Sequence, residues 1–238
     1  MPPRVALVDL DDTLIDYRAE EDHAVEALRC DVAGDLPAQV WRSLYRDAKQ
    51  VQRSHHPLPG PATYRHRFEV FGDRLRDHHV VRHRIGAAEL ERRYWQARYA
   101  AVTPLDGAGE LLGVLGRRYD DVVVCTVGLQ ARQQDRLRIA GLASLVTGLV
   151  SSEVAGVGKD DWPRFLGSRW DPGARYLAIS DALRPDLFFA AEVGMTTAWI
   201  ASSPAPGSEF AQIVHWQAPT PAALAVQWDG LEPEEIHT

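Results

Sequence analysis

The chain has 238 residues, enough for one large domain or for a domain that carries an insertion. Hydrophobic residues make up 45% and charged residues 25%, a balance that excludes a disordered, collagen-like or disulfide-dense protein. Acidic residues outnumber basic ones by 33 to 26, for a net charge of −7, which argues against broad electrostatic binding to nucleic acid.

The amino-terminal residues contain no apolar stretch long enough for a signal peptide, because Asp9 already interrupts them. No uncharged run is long and apolar enough to predict a membrane span. Cys30 and Cys125 lie far apart, and we expect both to be buried, reduced thiols. These features predict a cytoplasmic protein that binds neither nucleic acid nor membrane, and they leave a monomer and a homodimer both open.

The first strand is predicted at Val5–Asp9, a short apolar run near the start of the chain. Residues 16–102 lack convincing strands and predict three or four helices, with a break at the proline-rich run His55–Pro61. This segment carries 15 Lys and Arg against 13 Asp and Glu, so it is slightly basic, whereas the remainder is acidic. A helical insertion therefore interrupts an acidic core just after its first strand.

From residue 103 onward, strands and amphipathic helices alternate, which is typical of a parallel sheet with helices on both faces. We predict an α/β fold with a doubly wound, Rossmann-like parallel sheet, formed by residues 1–15 and 103–238, and an inserted all-helical domain at 16–102. The acidic end, Leu231–Thr238, is expected to be poorly ordered. The predicted later strands are Asp121–Thr126, Leu145–Ser151, Tyr176–Ser180 and Thr196–Ile200, and the predicted helices are Ala108–Arg118, Ala131–Ala140, Asp161–Gly167 and Arg184–Val193.

Two acids stand at the end of the first strand, which runs directly into Asp-Leu-Asp-Asp-Thr at positions 9–13. Active sites of doubly wound sheets form just beyond the carboxyl ends of strands. The carboxylates of Asp9 and Asp11 repel each other at this spacing, so they need a cation, or one of them must hold a proton. The alternative is a turn with capping aspartates before the first inserted helix.

This motif resembles the first motif of the haloacid dehalogenase (HAD) superfamily, and specifically of its phosphatases. The family's other three motifs are matched in order along the chain. Thr126 closes the second core strand, and Lys159, one of only two lysines beside 24 arginines, stands at the start of a later helix. Asp181 and Asp186 follow a later strand. The resemblance covers residues 1–15 and 103–228 and implies a HAD-like core.

The resemblance implies a role for each motif residue. Asp9 is expected to be the nucleophile that forms an aspartyl-phosphate, and Asp11 the acid that protonates the leaving alkoxide and then the base that activates water. The Thr126 hydroxyl and the Lys159 ammonium complete the predicted catalytic set and hold the phosphoryl group. Backbone N–H groups near Asp12 belong to the predicted phosphate-binding set.

Mg²⁺ is the implied cofactor, since it prefers oxygen ligands and keeps several waters. Its predicted ligands are Asp9, the backbone carbonyl of Asp11, and Asp181, with Asp186 bound directly or one shell further out.

Two positions depart from the family's pattern. Ser180 stands where the family usually has glycine, before the acid of the fourth motif. Val127, also in the predicted phosphate-binding set, stands where such enzymes often carry asparagine. Neither change removes a charged catalytic group, so we expect effects on geometry or substrate choice rather than a loss of chemistry.

The helical insertion resembles a type 1 cap, which closes over the active site in this family. Such lids exclude water and contact the non-reacting part of a substrate. The positive balance of the insertion favours a phosphorylated ligand. Tyr17, Arg18 and the break at His55–Pro61 are candidates to face the cleft and set specificity, with ordinary solvated charge as the alternative for any single arginine.

The leading hypothesis is a Mg²⁺-dependent phosphomonoester hydrolase that acts on a small phosphorylated metabolite through an aspartyl-phosphate. A 2-haloacid dehalogenase is an alternative, against which Asp11 argues, because dehalogenases of this superfamily typically lack an aspartate there. A phosphomutase shares the four motifs and stays open, as does a non-catalytic relative that binds phosphorylated ligands. A signalling receiver is disfavoured, since it is one compact domain whose phosphoacceptor does not follow the first strand.

Overall fold

The computed structural model describes residues 2–56, 58, 60–77, 85–201, 203 and 207–237. The chain divides into two compact units, Met1–Asp16 with Thr103–Thr238, and Tyr17–Val102. We call the first the core unit and the second the helical unit. From the sequence we expect divisions after residues 15 and 102.

The core unit is built on a sheet of six strands in the order β3-β2-β1-β4-β5-β6. All neighbouring strands run parallel, which confirms the predicted α/β fold. The strands are β1 (Arg4–Val8), β2 (Asp121–Thr126), β3 (Gly148–Ser151), β4 (Arg175–Ser180), β5 (Thr196–Ile200) and β6 (Trp216–Ala218).

The central strands are continuous apolar runs that are buried on both faces. Ala6, Leu7 and Val8 in β1, and Val123 and Val124 in β2, each expose 1% or less of their surface. Such strands show no alternation of polar and apolar residues, because both faces of the sheet are covered.

The two edge strands differ from the prediction. β3 is shorter than expected, since it begins at Gly148, and Leu145 belongs instead to a 3₁₀ turn, Ala143–Leu145. β6 has no counterpart among the predicted strands, since three residues with a central glutamine form no detectable apolar run.

Helices surround the sheet in the core unit and make up the helical unit. None of those in the described residues is long and apolar enough to cross a membrane. The helical unit contains α1 (Tyr17–Ala33), α2 (Ala38–His55), α3 (Pro61–Asp77) and α4 (Ala87–Ala100). The core unit contains α5 (Ala108–Gly116), α6 (Gln130–Ile139), α7 (Ser152–Ala155), α8 (Trp162–Leu166), α9 (Phe189–Glu192), α10 (Ser208–Ala211), α11 (Pro221–Trp228) and α12 (Pro233–Ile236), and a π-helical turn, Leu183–Phe188, precedes α9.

The carboxyl-terminal segment is packed onto the core unit, so the expectation of a poorly ordered tail was wrong. α12 begins with a reciprocal capping box between Glu232 and Glu235. Ile236 is fully buried, and its carbonyl accepts a hydrogen bond from Trp216 Nε1 (2.9 Å). Because the segment is acidic in composition, its sequence did not indicate that the single buried residue Ile236 would hold it against the core unit.

The helical unit has an aromatic core of its own. Trp41 and Phe71 meet edge to face with ring centroids 4.8 Å apart, and Tyr45 stacks on Tyr94 at 5.7 Å. Trp41 is fully buried, and its indole nitrogen donates to Val25 O (2.8 Å). Large rings whose polar atoms find partners stabilise such a core.

A buried ion pair joins the first and last helices of this unit. Arg98 Nε donates to Glu20 Oε1 (2.9 Å), and the two side chains are 3% and 0% exposed. The guanidinium also lies over the rings of Tyr17 and Trp95. Because both charges are out of water, each depends on the other.

Replacing Arg98 with alanine is expected to lower the free energy of unfolding by roughly 3–5 kcal/mol, because the Glu20 carboxylate stays buried without its partner. Arg92, which is 60% exposed and paired with Glu89, supplies a matched control. Arg92→Ala should change stability by no more than about 0.5 kcal/mol. Urea unfolding followed by tryptophan fluorescence measures both, and equal losses in the two variants would contradict this account.

The two cysteines are free thiols in different environments. Cys125 is fully buried in β2, and burial raises the pKa of its thiol to about 12. Cys30 is exposed on α1, so the expectation of two buried thiols was wrong for this residue. Its polar neighbours on the same helix, Glu26 and Arg29, share that outer face.

The native protein is expected to react with one equivalent of a disulfide reagent such as Ellman's reagent, and the denatured protein with two. The thiolate is the reacting form, and the raised pKa of Cys125 keeps its thiol protonated at mildly alkaline pH. Cys30→Ser is the control and should abolish the reaction of the native protein. Two equivalents reacting rapidly in the native state would show that Cys125 is accessible.

Candidate active site

The candidate site lies at the carboxyl edge of the sheet, where three neighbouring strands end. Thr126 is the last residue of β2, Asp9 follows β1, and Asp181 follows β4. β1 lies between β2 and β4, so the site stands where the strand order reverses direction. Open α/β sheets bind their ligands at this point.

Backbone hydrogen bonds hold the turn after β1. Asp12 N donates to Ile15 O (2.8 Å), and Ile15 N donates to Leu10 O (3.0 Å). Asp12 has a φ of 58°, a left-handed conformation that glycine alone shares among the described residues. Such a conformation costs about 1–3 kcal/mol and is typical of functional turns. The N–H of Asp12 is already paired, so phosphate binding by the surrounding N–H groups stays a prediction.

Lys159 connects the first and fourth motifs. It is 3% exposed, and its Nζ donates to Asp9 Oδ1 and to Asp186 Oδ2, the latter at 2.6 Å. It lies between α7 and α8, whereas Asp186 lies in the π-helical turn after β4. Three segments distant in sequence therefore meet at one ammonium group.

Burial raises the pKa of the Asp9 carboxyl well above its usual range; Lys159 opposes this rise, whereas Asp186 and Asp11 add to it. Burial alone would lower the pKa of Lys159, but Asp186 and Asp9 outweigh that effect and raise it. A protonated lysine balances only one of the two carboxylates that it contacts. A further cation would therefore favour the ionised form of Asp9.

The other oxygen of Asp9 faces Asp181 across a buried hydroxyl. Thr13 Oγ1 lies 3.3 Å from Asp9 Oδ2 and 3.4 Å from Asp181 Oδ1, and it accepts a hydrogen bond from Asp181 N (2.9 Å). Two carboxylate oxygens thus converge on the side of Asp9 away from Lys159.

These oxygens suit Mg²⁺, although across the part of the chain that the structure describes no three acidic, histidine or cysteine side chains form a ready metal-binding group. Mg²⁺ needs only one or two protein carboxylates, because it keeps waters and binds substrate phosphates. Asp9 and Asp181 fit the ion on this ground, whereas Asp186 bonds the lysine. The carbonyl of Asp11 and the carboxylate of Asp186 stay predicted ligands.

Ser180, the departure from the family's glycine, supports Asp186. Its Oγ donates to Asp186 Oδ2 (2.7 Å) and accepts from Ala182 N (3.0 Å). Trp162 Nε1 donates to the backbone carbonyl of Asp186 (3.1 Å). The hydroxyl that replaces glycine therefore fixes the carboxylate that holds Lys159.

Thr126 is completely buried, and its hydroxyl has no hydrogen-bond partner among the described residues. The same holds for Ser151, the register partner of Thr126 at the end of β3. Most buried hydroxyls in proteins are paired, so unpaired ones at a sheet edge indicate a place for a ligand oxygen. Val127, the next residue, is 44% exposed.

Sequence reasoning missed a buried arginine at this edge. Arg136 on α6 is 1% exposed and donates from Nη1 to Asp11 Oδ1 (2.5 Å) and to Gln133 Oε1 (2.6 Å). α6 is rich in polar residues, so periodicity alone marks Arg136 and Gln133 as surface residues. The spacing of three from glutamine to arginine after the second motif is the one signal that the sequence offers.

The two specificity candidates belong to the start of α1 in the helical unit. The Tyr17 hydroxyl donates to Glu21 Oε1 (2.8 Å) and accepts from Lys49 Nζ (3.0 Å), and Arg18 is exposed. Their role at the active site stays a prediction.

No family model matches the chain. A curated relative, the pyrimidine 5'-nucleotidase YjjG of Escherichia coli (strain K12), is 30% identical over 138 residues. This match covers 56% of the chain and 57% of the relative, so the chain matches a little over half of that protein's length.

Solved structures match nearly the whole chain. The magnesium-bound HAD-hydrolase YfnB from Bacillus subtilis has a TM-score of 0.69 at 21% identity, over 96% of this chain and 98% of that one. The defluorinating L-2-haloacid dehalogenase Rha0230 has a TM-score of 0.70 at 18% identity, over 96% of each chain. Both a HAD phosphatase and further dehalogenases are among the similar structures. The chain therefore has the fold of the HAD-like hydrolases, which confirms the resemblance of its motifs at the level of the fold.

Replacing Thr126 with valine is expected to leave the free energy of unfolding of the ligand-free protein unchanged or to raise it by up to about 1–3 kcal/mol, because the buried hydroxyl that it removes has no partner among the described residues. Thr13→Val is the matched control. It removes the hydroxyl that Asp181 N needs, and it should cost roughly 1–3 kcal/mol. Urea unfolding measures both, and a cost for Thr126→Val as large as that of the control would show that the Thr126 hydroxyl is paired.

Proposed function

We propose that the chain is a Mg²⁺-dependent phosphomonoester hydrolase that acts on a small phosphorylated metabolite through an aspartyl-phosphate. The contact of buried Lys159 with Asp9, at the edge where Asp11 and Thr126 also stand, carries this proposal. A carboxylate nucleophile, a second acid and fixed donors for phosphoryl oxygens are what phosphoryl transfer through a covalent intermediate requires.

Asp9 and Asp11 divide the covalent chemistry. A carboxylate oxygen of Asp9 attacks phosphorus, and the new O–P bond forms as the ester O–P bond breaks. Asp11 gives its proton to the leaving alkoxide. In the second half, Asp11 takes a proton from a water whose oxygen forms a new bond to phosphorus. The O–P bond to Asp9 breaks, so that phosphate leaves and the Asp9 carboxylate is restored.

Fixed donors hold the charge of the transferring group. Lys159 stays protonated because the neighbouring carboxylates raise its pKa. The Thr126 hydroxyl has no partner among the described residues, so it can donate to a phosphoryl oxygen without breaking another bond.

The metal-binding role falls to Asp9, the carbonyl of Asp11, and Asp181. A Mg²⁺ ion bound there supplies positive charge that neutralises the phosphoryl group during transfer. Asp186 holds Lys159, whose ammonium favours the ionised form of Asp9 even though burial disfavours it.

The helical unit is assigned as a type 1 cap, because it is inserted between Asp16 and Thr103 and is a compact unit in itself. In this assignment Tyr17 and Arg18 contribute to substrate choice. The name of the partial relative, a pyrimidine 5'-nucleotidase, makes nucleoside monophosphates natural members of a substrate panel.

A haloacid dehalogenase is the second candidate, because solved dehalogenases match the fold as closely as a phosphatase does. The proton that Asp11 can supply distinguishes the two reactions. An alkoxide leaves much more readily with a proton, whereas a halide needs none. The presence of Asp11 therefore supports phosphoester hydrolysis.

Phosphate release from p-nitrophenyl phosphate and from a phosphometabolite panel tests the proposal. The wild-type protein is expected to turn over with Mg²⁺ and to stop with chelator. Asp9→Asn should lose activity on the order of a thousandfold or more, because the nucleophile is gone. Asp229→Asn, at a side chain that is 76% exposed, is the matched control and should keep full activity.

Full phosphatase activity in Asp9→Asn would contradict the aspartyl-phosphate mechanism. Halide release from L-2-chloropropionate, with no phosphate release from any ester, would favour the dehalogenase.

A further inference from the structure

Arg136 is a buried arginine that reaches the second acid of the site. Its guanidinium is almost completely buried and contacts Asp11 Oδ1 at 2.5 Å. The Asp11 side chain is 29% exposed. The arginine therefore holds this carboxylate from the protein side, while part of the carboxylate stays open.

A local support fixes Arg136 on α6. Gln133, one turn earlier and also buried, accepts from Arg136 Nη1 (2.6 Å) and donates from Nε2 to Val127 O (3.4 Å). A Cβ at Gly128 would lie 2.3 Å from Gln133 Nε2, so the glycine after β2 makes room for this glutamine. The support thus begins directly after Thr126.

Stability alone is a weak reason for this arrangement. Taking a guanidinium out of water is costly, and apolar residues of similar volume often stabilise a protein as well as a buried ion pair does. The desolvation cost of the Arg136 guanidinium is explained if catalysis requires the Asp11 carboxyl to be held in one position.

We propose that Arg136 is a positioning residue that holds the Asp11 carboxyl where the leaving-group oxygen is protonated. This inference rests on the proposed phosphomonoesterase function. When the ester O–P bond breaks, its electron pair stays on the leaving oxygen, which takes the proton of Asp11. In this proposal Arg136 acts through its contact with the Asp11 carboxyl and not on the substrate itself.

The proposal predicts an effect that depends on the leaving group. An alkoxide needs the proton, whereas p-nitrophenolate leaves as a stable anion without it. A displaced Asp11 should therefore slow the hydrolysis of an alkyl phosphate far more than that of p-nitrophenyl phosphate. A general loss of folded structure would slow both equally.

The experiment compares kcat/KM of Arg136→Gln on p-nitrophenyl phosphate and on the best alkyl phosphomonoester of the panel. This parameter reports the steps up to transfer onto Asp9. We expect a loss of roughly 10- to 100-fold on the alkyl ester and of less than about 3-fold on the aryl ester. Arg138→Gln, at a 72% exposed arginine of the same helix, is the control and should change neither value.

Two milder variants keep the test valid if Arg136→Gln does not fold. Arg136→Lys keeps the charge without the planar fork and should recover part of the alkyl-ester activity. Gln133→Met removes the support and should give a smaller loss with the same dependence on the leaving group. Thermal melting of the chelator-treated proteins identifies the variants that are folded.

A double-mutant cycle with Asp11→Asn provides the second readout. If Arg136 acts only through Asp11, adding Arg136→Gln to Asp11→Asn should lower kcat/KM no further on either ester.

Equal losses on the two esters, or losses that add in the double mutant, overturn the inference and leave the phosphatase proposal standing. Failure of the folded wild-type protein to release phosphate from any ester overturns the proposed function and this inference with it.

Discussion

A lysine buried between two aspartates is the interaction on which the rest of the site depends. Lys159 and Asp9 are 150 positions apart in the chain, and Lys159 and Asp186 are 27 apart, yet one ammonium group bonds both carboxylates. Removing an ammonium from water is tolerated only where partners and hydrogen bonds compensate its charge. The loop before α8, the end of β1 and the turn after β4 are therefore held together at one charged group, which defines the charge pattern of the sheet edge.

Ser180 stands where the resembled family has glycine, and its hydroxyl is accommodated by a hydrogen bond to Asp186. A glycine at this position has no side chain, whereas the Ser180 hydroxyl donates to Asp186 Oδ2 beside Lys159 and accepts a hydrogen bond from Ala182 N. Asp186 is 5% exposed, so a further donor helps to satisfy the hydrogen-bonding capacity of its buried carboxyl oxygens. The substitution therefore acts on the group that holds the lysine, and the acids that face the proposed metal position are unchanged.

The parts of the fold that depend on local pattern could be predicted from the sequence, and those that depend on distant partners could not. Continuous apolar runs identify β1, β2, β4 and β5, because burial on both faces leaves no polar alternation. Asp9, Thr126 and Asp181 could be placed at one edge, because parallel strands share their carboxyl ends. The contact of Arg136 with Asp11 joins residues 125 positions apart, and no periodicity in the polar helix α6 marks it. Ile236 likewise anchors the tail through burial that an acidic composition conceals.

The unpaired hydroxyls of Thr126 and Ser151 at the sheet edge indicate a ligand with several acceptor oxygens. Thr126 and Ser151 are register partners on adjacent strands, so their side chains leave the same face of the sheet. Both are completely buried and lack partners among the described residues. Native proteins seldom leave such groups unsatisfied, and each costs about 1–3 kcal/mol when they do. A phosphoryl group offers three acceptor oxygens where a carboxylate offers two. These hydroxyls therefore support the proposed phosphoester substrate, independently of the argument from Asp11.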